Sequence, residues 1–303
     1  MNCGAATDTG FLRDRNEDRY WIDQERGIFL VVDGVGGHNA GEMAAETAVE
    51  EIRAALLTEQ VLTERASPEE RVRSAIARAN NRIFEKAQSE GGSRGMACVL
   101  TLAVVDNGEI TVGHVGDSRL YLVWNGAIRK LTSDHSPVGE EEDTGELTEE
   151  EAMRHPRRNE VFRDVGSRMR SGSDEEFVEI RTCRLRADAG ILLCSDGLTD
   201  QLTAARVREI VDGYDGDAER VARELVEAAN AAGGRDNATA LFAAGPEFRG
   251  RADVTRPRLG TTRIRMRGPA RLLTGRAAFL GYGLLIGMLV WAALRAALQA
   301  IRG

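Results

Sequence analysis

The sequence lacks the marks of several protein classes. Its four cysteines, Cys3, Cys98, Cys183 and Cys194, lie far apart with no CxxC pair. That spacing excludes a disulfide framework and a zinc ribbon, and it fits reduced thiols in a cytosolic setting. There is no internal repeat. A content of 42% apolar and 29% charged residues excludes a collagen-like chain and wholesale disorder. The opening MNCGAATDTG has neither a basic n-region nor an apolar h-region, so no signal peptide is expected there. A net charge of −8 argues against a general nucleic-acid binder. The 303 residues are enough for one large domain or two small ones with a real core.

The charge is unevenly placed. Between residues 247 and 276, nine arginines face only Glu247 and Asp253, so the first 246 residues are strongly acidic. The run 277–294 then has no charged residue. As a helix it would span about 27 Å, the thickness of a bilayer core. The basic flank before it places the N-terminal part on the cytoplasmic side. The expected organisation is a domain over 1–246, an Arg-rich linker over 247–274, and a transmembrane helix with a short tail over 275–303. The expected location is the cell membrane, single-pass, with the large domain in the cytoplasm.

Strand-length apolar runs recur at 28–32, 98–105, 110–115, 120–124, 191–194 and 238–242. Asn107-Gly108 and Asn125-Gly126 each separate two runs and supply the positive φ angles of a type I′ hairpin turn. Helices fall between the strand groups, over 40–57, after the capping box Ser67-Pro68-Glu69-Glu70, after Thr148-Glu149-Glu150-Glu151, and along Val221, Leu225 and Ala229. Antiparallel hairpins with paired helices between them predict an α+β architecture, not an alternating α/β one.

Three strand runs end alike. Val31-Val32 leads into Asp33-Gly34, Val115 into Gly116-Asp117-Ser118, and Cys194 into Ser195-Asp196-Gly197. Asp236 follows Gly233-Gly234-Arg235, and Glu17-Asp18 closes an Arg-rich turn. Carboxylates gathered at buried strand ends repel one another and resist desolvation. Mg²⁺ or Mn²⁺, which prefer oxygen ligands, offset both effects if these residues converge in space. A single Asp-Gly is ordinarily a turn or helix cap; the repetition is what points to a site.

The ordered set Arg13-x-x-Asn16-Glu17-Asp18, Asp33-Gly34-Val35-Gly36-Gly37-His38, Gly116-Asp117-Ser118-Arg119, Ser195-Asp196-Gly197-Leu198 and Gly233-Gly234-Arg235-Asp236-Asn237 resembles the metal-dependent serine/threonine phosphatases of type 2C, the PPM family. His155-Pro156 and Arg163-x-x-Gly166 resemble a further family segment. The likeness spans about residues 4–244 and is strongest to the bacterial, membrane-tethered branch that opposes Ser/Thr kinases. It implies two stacked antiparallel sheets flanked by helix pairs, an α-β-β-α sandwich, here followed by the transmembrane helix. It implies two tightly bound Mn²⁺ or Mg²⁺ ions and a third, weaker one. Asp33 would bridge the pair, with the Gly34 carbonyl on one ion and Asp196 and Asp236 on the other. Glu17 and Asp18 would act through water, and Asp117 with Asp196 would take the third ion. Arg13 would hold substrate phosphate.

His38 is the candidate acid for the leaving alkoxide, against the alternative that it hydrogen-bonds the glycine-rich loop. His114 is expected to be a satisfied core histidine, and His135 matches a family loop segment. The implied partners are phosphorylated Ser/Thr proteins, a kinase that makes them, and the membrane through the C-terminal helix, with no nucleic acid. Two other functions compete with this one. One is an inactive phosphatase-like scaffold that binds phosphoproteins. The other is a different metal hydrolase acting on small phosphoesters. The chain departs from the family at Gly95-Met96-Ala97-Cys98, where a Gly-Thr-Thr or Gly-Ser-Thr step is usual. No implied ligand is lost there.

Overall fold

The computed structural model describes residues 1–36, 39–57, 66–89, 95–171 and 174–251. Two five-stranded antiparallel sheets form its centre. One has the order β1 (Asn2–Asp8), β10 (Ala238–Ala244), β9 (Ala189–Cys194), β6 (Arg119–Trp124), β7 (Ala127–Lys130). The other has the order β2 (Arg19–Asp23), β3 (Ile28–Val35), β4 (Ala97–Asp106), β5 (Glu109–Val115), β8 (Glu179–Arg184). Both predicted hairpins form. Asn107 and Gly108 have φ of 49° and 78°, Asn125 and Gly126 of 45° and 73°, as a type I′ turn requires.

The layering follows from the alternation of side chains along each strand. Phe29 and Val31 of β3 face the second sheet and pack in a cluster with Leu120, Leu122, Ile191, Leu193 and Leu241. Ile28, Leu30 and Val32 point the other way, onto α1 (Ala40–Leu57) and α2 (Pro68–Ser89) through Ala44, Ala48, Ile52, Ile76 and Ile83. β3 is thus buried on both faces over Ile28–Val32, and that stretch is an unbroken apolar run leading into Asp33. The second sheet repeats the scheme. Leu192, Ala240 and Phe242 face α7 (Ala218–Ala232) with Val221, Leu225 and Ala229. The result is the expected α-β-β-α sandwich. The Ser67 capping box closes as read, with Ser67 N–H donating to Glu70 Oε2 (2.8 Å) and Glu70 N–H to Ser67 Oγ (3.2 Å). The chain stays packed past β10, where Phe248 is buried against Tyr214 and Phe242, ring centroids 5.3 and 5.5 Å away.

The structure corrects the fold expectation at its C-terminal end. No helix among the described residues is long and apolar enough to cross a membrane. The longest, α2, is amphipathic: it buries Val72, Ile76, Ala79 and Ile83 and carries Arg71, Arg73, Arg78, Arg82 and Glu85 between them. The run 277–294, on which the transmembrane helix was expected, lies outside the described residues, as does the linker from residue 252 onward.

Candidate metal centre

Strand register brings the distant acidic motifs to one end of the sandwich. β2 pairs with β3 so that Arg19 faces Val32, which sets Asp18 beside Asp33. Cys194 pairs with both Arg119 and Ala240, so Asp117, Asp196 and Asp236 emerge at the corresponding end of the other sheet. Asp18 joins the two sheets. Its Oδ2 accepts from Ser195 Oγ (2.7 Å) and Thr239 Oγ1 (2.6 Å), while its buried Oδ1 has no hydrogen-bond partner. Asn237 holds the approaching segment. Its Oδ1 accepts from Glu17 N–H (2.8 Å), and its Nδ2 donates to the carbonyls of Thr9 (2.9 Å) and Arg15 (2.8 Å).

The electrostatics are those of crowded anions. Burial and the mutual repulsion of carboxylates push Asp33 and Asp196 well above the usual range. Asp18 and Asp117 are pushed up to about 7, in both cases chiefly by burial. Arg13 supplies one counter-charge, donating from Nη2 to Asp236 Oδ2 at 2.7 Å. Beside Gly41 there is a small cradle. A Cβ there would lie 2.6 Å from Glu17 Oε2 and 2.8 Å from the Gly34 carbonyl oxygen, so both oxygens face one point that only glycine leaves open. An orphaned buried oxygen, an all-oxygen donor set and carboxylates strained toward protonation fit a hard divalent cation.

Asp33, Asp196 and Asp236 do not close to a common spacing of 4.8 Å. Among the described residues the set that does is His114, His135 and Glu179. Asp236 is instead drawn onto Arg13. His38, expected as the acid, and Gly37 lie outside the described residues. The sequence reading missed Asp200. It follows Asp196 by four residues, one turn on across α5 (Asp196–Thr199), and accepts from Arg158 Nε at 2.7 Å at the rim of a recess shared with Asp117 and Asp196. The i, i+4 spacing was the available signal.

The sequence matches the family model for protein phosphatase 2C over residues 11–236. It is 36% identical over 245 residues to the serine/threonine phosphatase stp of Listeria monocytogenes, covering 80% of this chain and 95% of that protein. The chain belongs to the protein phosphatase 2C family. It is a metal-dependent protein serine/threonine phosphatase. Solved structures agree. The Mycobacterium tuberculosis phosphatase PstP/Ppp superposes with a TM-score of 0.71 at 28% identity, over 80% of this chain and 97% of that one. The PstP catalytic domain in complex with two manganese ions gives 0.67 at 28% identity, over 79% and 96%.

One further feature shapes the phosphatase beside Asp117. Arg119 is buried and forks onto Asp134, with Nε at 2.9 Å and Nη2 at 2.6 Å from Oδ2. The same Nη2 reaches Glu142 on α3 (Pro137–Thr144) at 2.7 Å. Lys130 holds the next residue, Asp143, at 2.6 Å. Glu142 and Asp143 are thus spent on anchoring α3 to the sheet. Replacing Arg119 by Met leaves the buried Asp134 with Lys130 Nζ, 3.3 Å away, as its remaining cation, and should cost roughly 2–4 kcal/mol of stability. Urea denaturation with and without the substitution measures it; a loss under about 1 kcal/mol, the range of a surface pair, would contradict the assignment.

Proposed function

We propose that the phosphatase hydrolyses phosphoserine and phosphothreonine in proteins at the acidic end of its sandwich, with the ions held by Asp33, the Gly34 carbonyl, Glu17, Asp196 and Asp236. Asp117 and Asp196 would take a weaker third ion. When bound, the ions supply the positive charge that activates water for attack at phosphorus. The orphaned oxygen of Asp18 carries the reading most directly, because a buried unpaired carboxylate oxygen calls for a cation nearby.

The protein's own groups do the rest. Asp18 stays fixed by Ser195 and Thr239 and orients whatever water lies at its free oxygen. Arg13, half exposed at the mouth, offers a planar fork that matches two phosphate oxygens and offsets charge as the phosphoryl group transfers. Its substrates are taken to be proteins phosphorylated by a serine/threonine kinase.

Phosphate release from a phosphothreonine peptide and from a phosphorylated protein tests this. Both should proceed with Mn²⁺, stop with EDTA, and resume when Mn²⁺ is restored. Turnover that continues in metal-free buffer would exclude the metal centre. Hydrolysis of a small aryl phosphate without any phosphoprotein turnover would assign the site to another substrate class.

A further inference from the structure

The turn that presents Asp117 is gripped by two histidine rings. Gly116 and its neighbours carry the chain from β5 in one sheet to β6 in the other, so no strand ladder holds them. Gly116 has φ of 109°, which favours glycine, and a Cβ there would meet Val99 at 2.2 Å. Its N–H donates to His135 Nδ1 at 3.0 Å. Its carbonyl accepts from the His135 backbone N–H at 2.7 Å and lies 2.9 Å from His114 Nε2. The two rings stand with centroids 4.9 Å apart.

These contacts fix the tautomer of His114 and set two donors against one lone pair at His135. A backbone N–H only donates, so His135 Nδ1 carries the lone pair and Nε2 the proton. A backbone carbonyl only accepts, so His114 Nε2 is protonated, and its Nδ1 lone pair takes the Thr101 hydroxyl at 2.9 Å. Arg163 Nη1, which also only donates, points at His135 Nε2 from 3.0 Å and so competes with the Gly116 N–H for the ring's single lone pair; with Gly116 holding it, Nε2–H faces Glu179 Oε2 at 3.6 Å. A metal ion on His114, His135 and Glu179 would need ring lone pairs that Gly116 and Thr101 already occupy. The set is close enough for an ion but is committed to the backbone.

We infer that His114 and His135, both protonated on Nε2, are positioning residues: they clamp the Gly116 peptide from both sides and so aim the Asp117 carboxylate at the weaker metal position. This rests on the reading of Asp117 given above.

Long-range proton–nitrogen correlation on the full-length, Mg²⁺-loaded protein reads the tautomers directly, with only four histidines to assign. Both rings should show the Nε2-protonated pattern; either one protonated on Nδ1 alone overturns the clamp. Mn²⁺ titration followed by electron paramagnetic resonance reads its consequence. His135→Leu should weaken the weaker binding step about tenfold or more, the usual effect of losing a partner one shell out from a ligand. His135→Asn, which keeps an acceptor near the Nδ1 position, should restore most of it, and the tight steps should not move. A His135→Leu protein that folds and titrates like wild type overturns the inference, provided Asp117→Asn abolishes the weaker step. If Asp117→Asn leaves that step intact, the reading of Asp117 fails instead. Should His135→Leu not fold, the tautomers of the unaltered protein decide.

Discussion

Asp33→Asn should lower kcat about a thousandfold and raise the melting temperature of the metal-free protein. Asp33 sits at the end of β3, buried and surrounded by Asp18, Asp196, Asp117 and Asp236, each of which raises its pKa further. An amide keeps the shape and removes the charge. If Asp33 is a ligand as proposed, losing its charge would forfeit several kcal/mol of transition-state stabilisation by the ions, and about 4 kcal/mol is three powers of ten in rate. Stability moves the opposite way, because the metal-free chain no longer has to bury a carboxyl that folding forces to take up a proton beside other acids. Each kcal/mol regained in a domain of this size corresponds to a rise of about 2–4 °C. Steady-state kinetics on a phosphopeptide with Mn²⁺ and thermal unfolding in EDTA measure the two halves. Near-normal turnover would remove Asp33 from the centre. A falling melting temperature would mean its charge is already compensated inside the protein.

The metal-free protein should lose stability as pH rises from about 4 to 7, and Mn²⁺ should restore more of it at pH 8 than at pH 5.5. Asp18 and Asp117 titrate at about 7 in the folded chain against an ordinary value of 3.8, and Asp33 and Asp196 lie well above that value. Between those limits the folded state holds protons that the unfolded chain has released, so stability falls with rising pH. His114 and His135 pull in the other direction. Burial lowers them to about 4 and 3, so the unfolded chain binds the extra proton below 6.5 and stability there rises with pH. Four carboxylates outweigh two imidazoles, and above 6.5 the carboxylates act alone. The decline is therefore steepest near neutrality and amounts to several kcal/mol in total. Ions bind the ionised carboxylates, so their stabilisation grows over the same range. Melting temperatures with and without Mn²⁺ at the two pH values test this, and a metal-induced shift that is flat or shrinks toward pH 8 contradicts it.

Much of this frame was legible in local sequence because local rules govern it. The Asn-Gly pairs fix two hairpins, the Ser67 and Thr148 boxes start two helices, and the Asp-Gly strand ends mark the acidic end of the sandwich. What escaped depends on contacts between positions far apart in the chain. Ser195 meets Asp18 across 177 residues and Thr239 meets it across 221, so nothing near Asp18 announces that one of its oxygens is taken and the other free. His114 was expected to be satisfied in the core, and it is, but its partners on Thr101 and Gly116 are set by sheet pairing and a turn. Asp200 reads locally as a helix end; its place beside Asp117 follows only once β6 and β9 are paired.

The contact between Arg13 and Asp236 has a kinetic consequence. While that bond stands, the guanidinium serves as a resident counter-ion and one end of its fork is already engaged. An incoming dianion must then displace a carboxylate before it can be gripped. An ion that claims Asp236 removes that competitor beforehand. On the proposed reading of Asp236 loading should therefore be ordered, cation before phosphoprotein, and inorganic phosphate should compete poorly for protein stripped by a chelator.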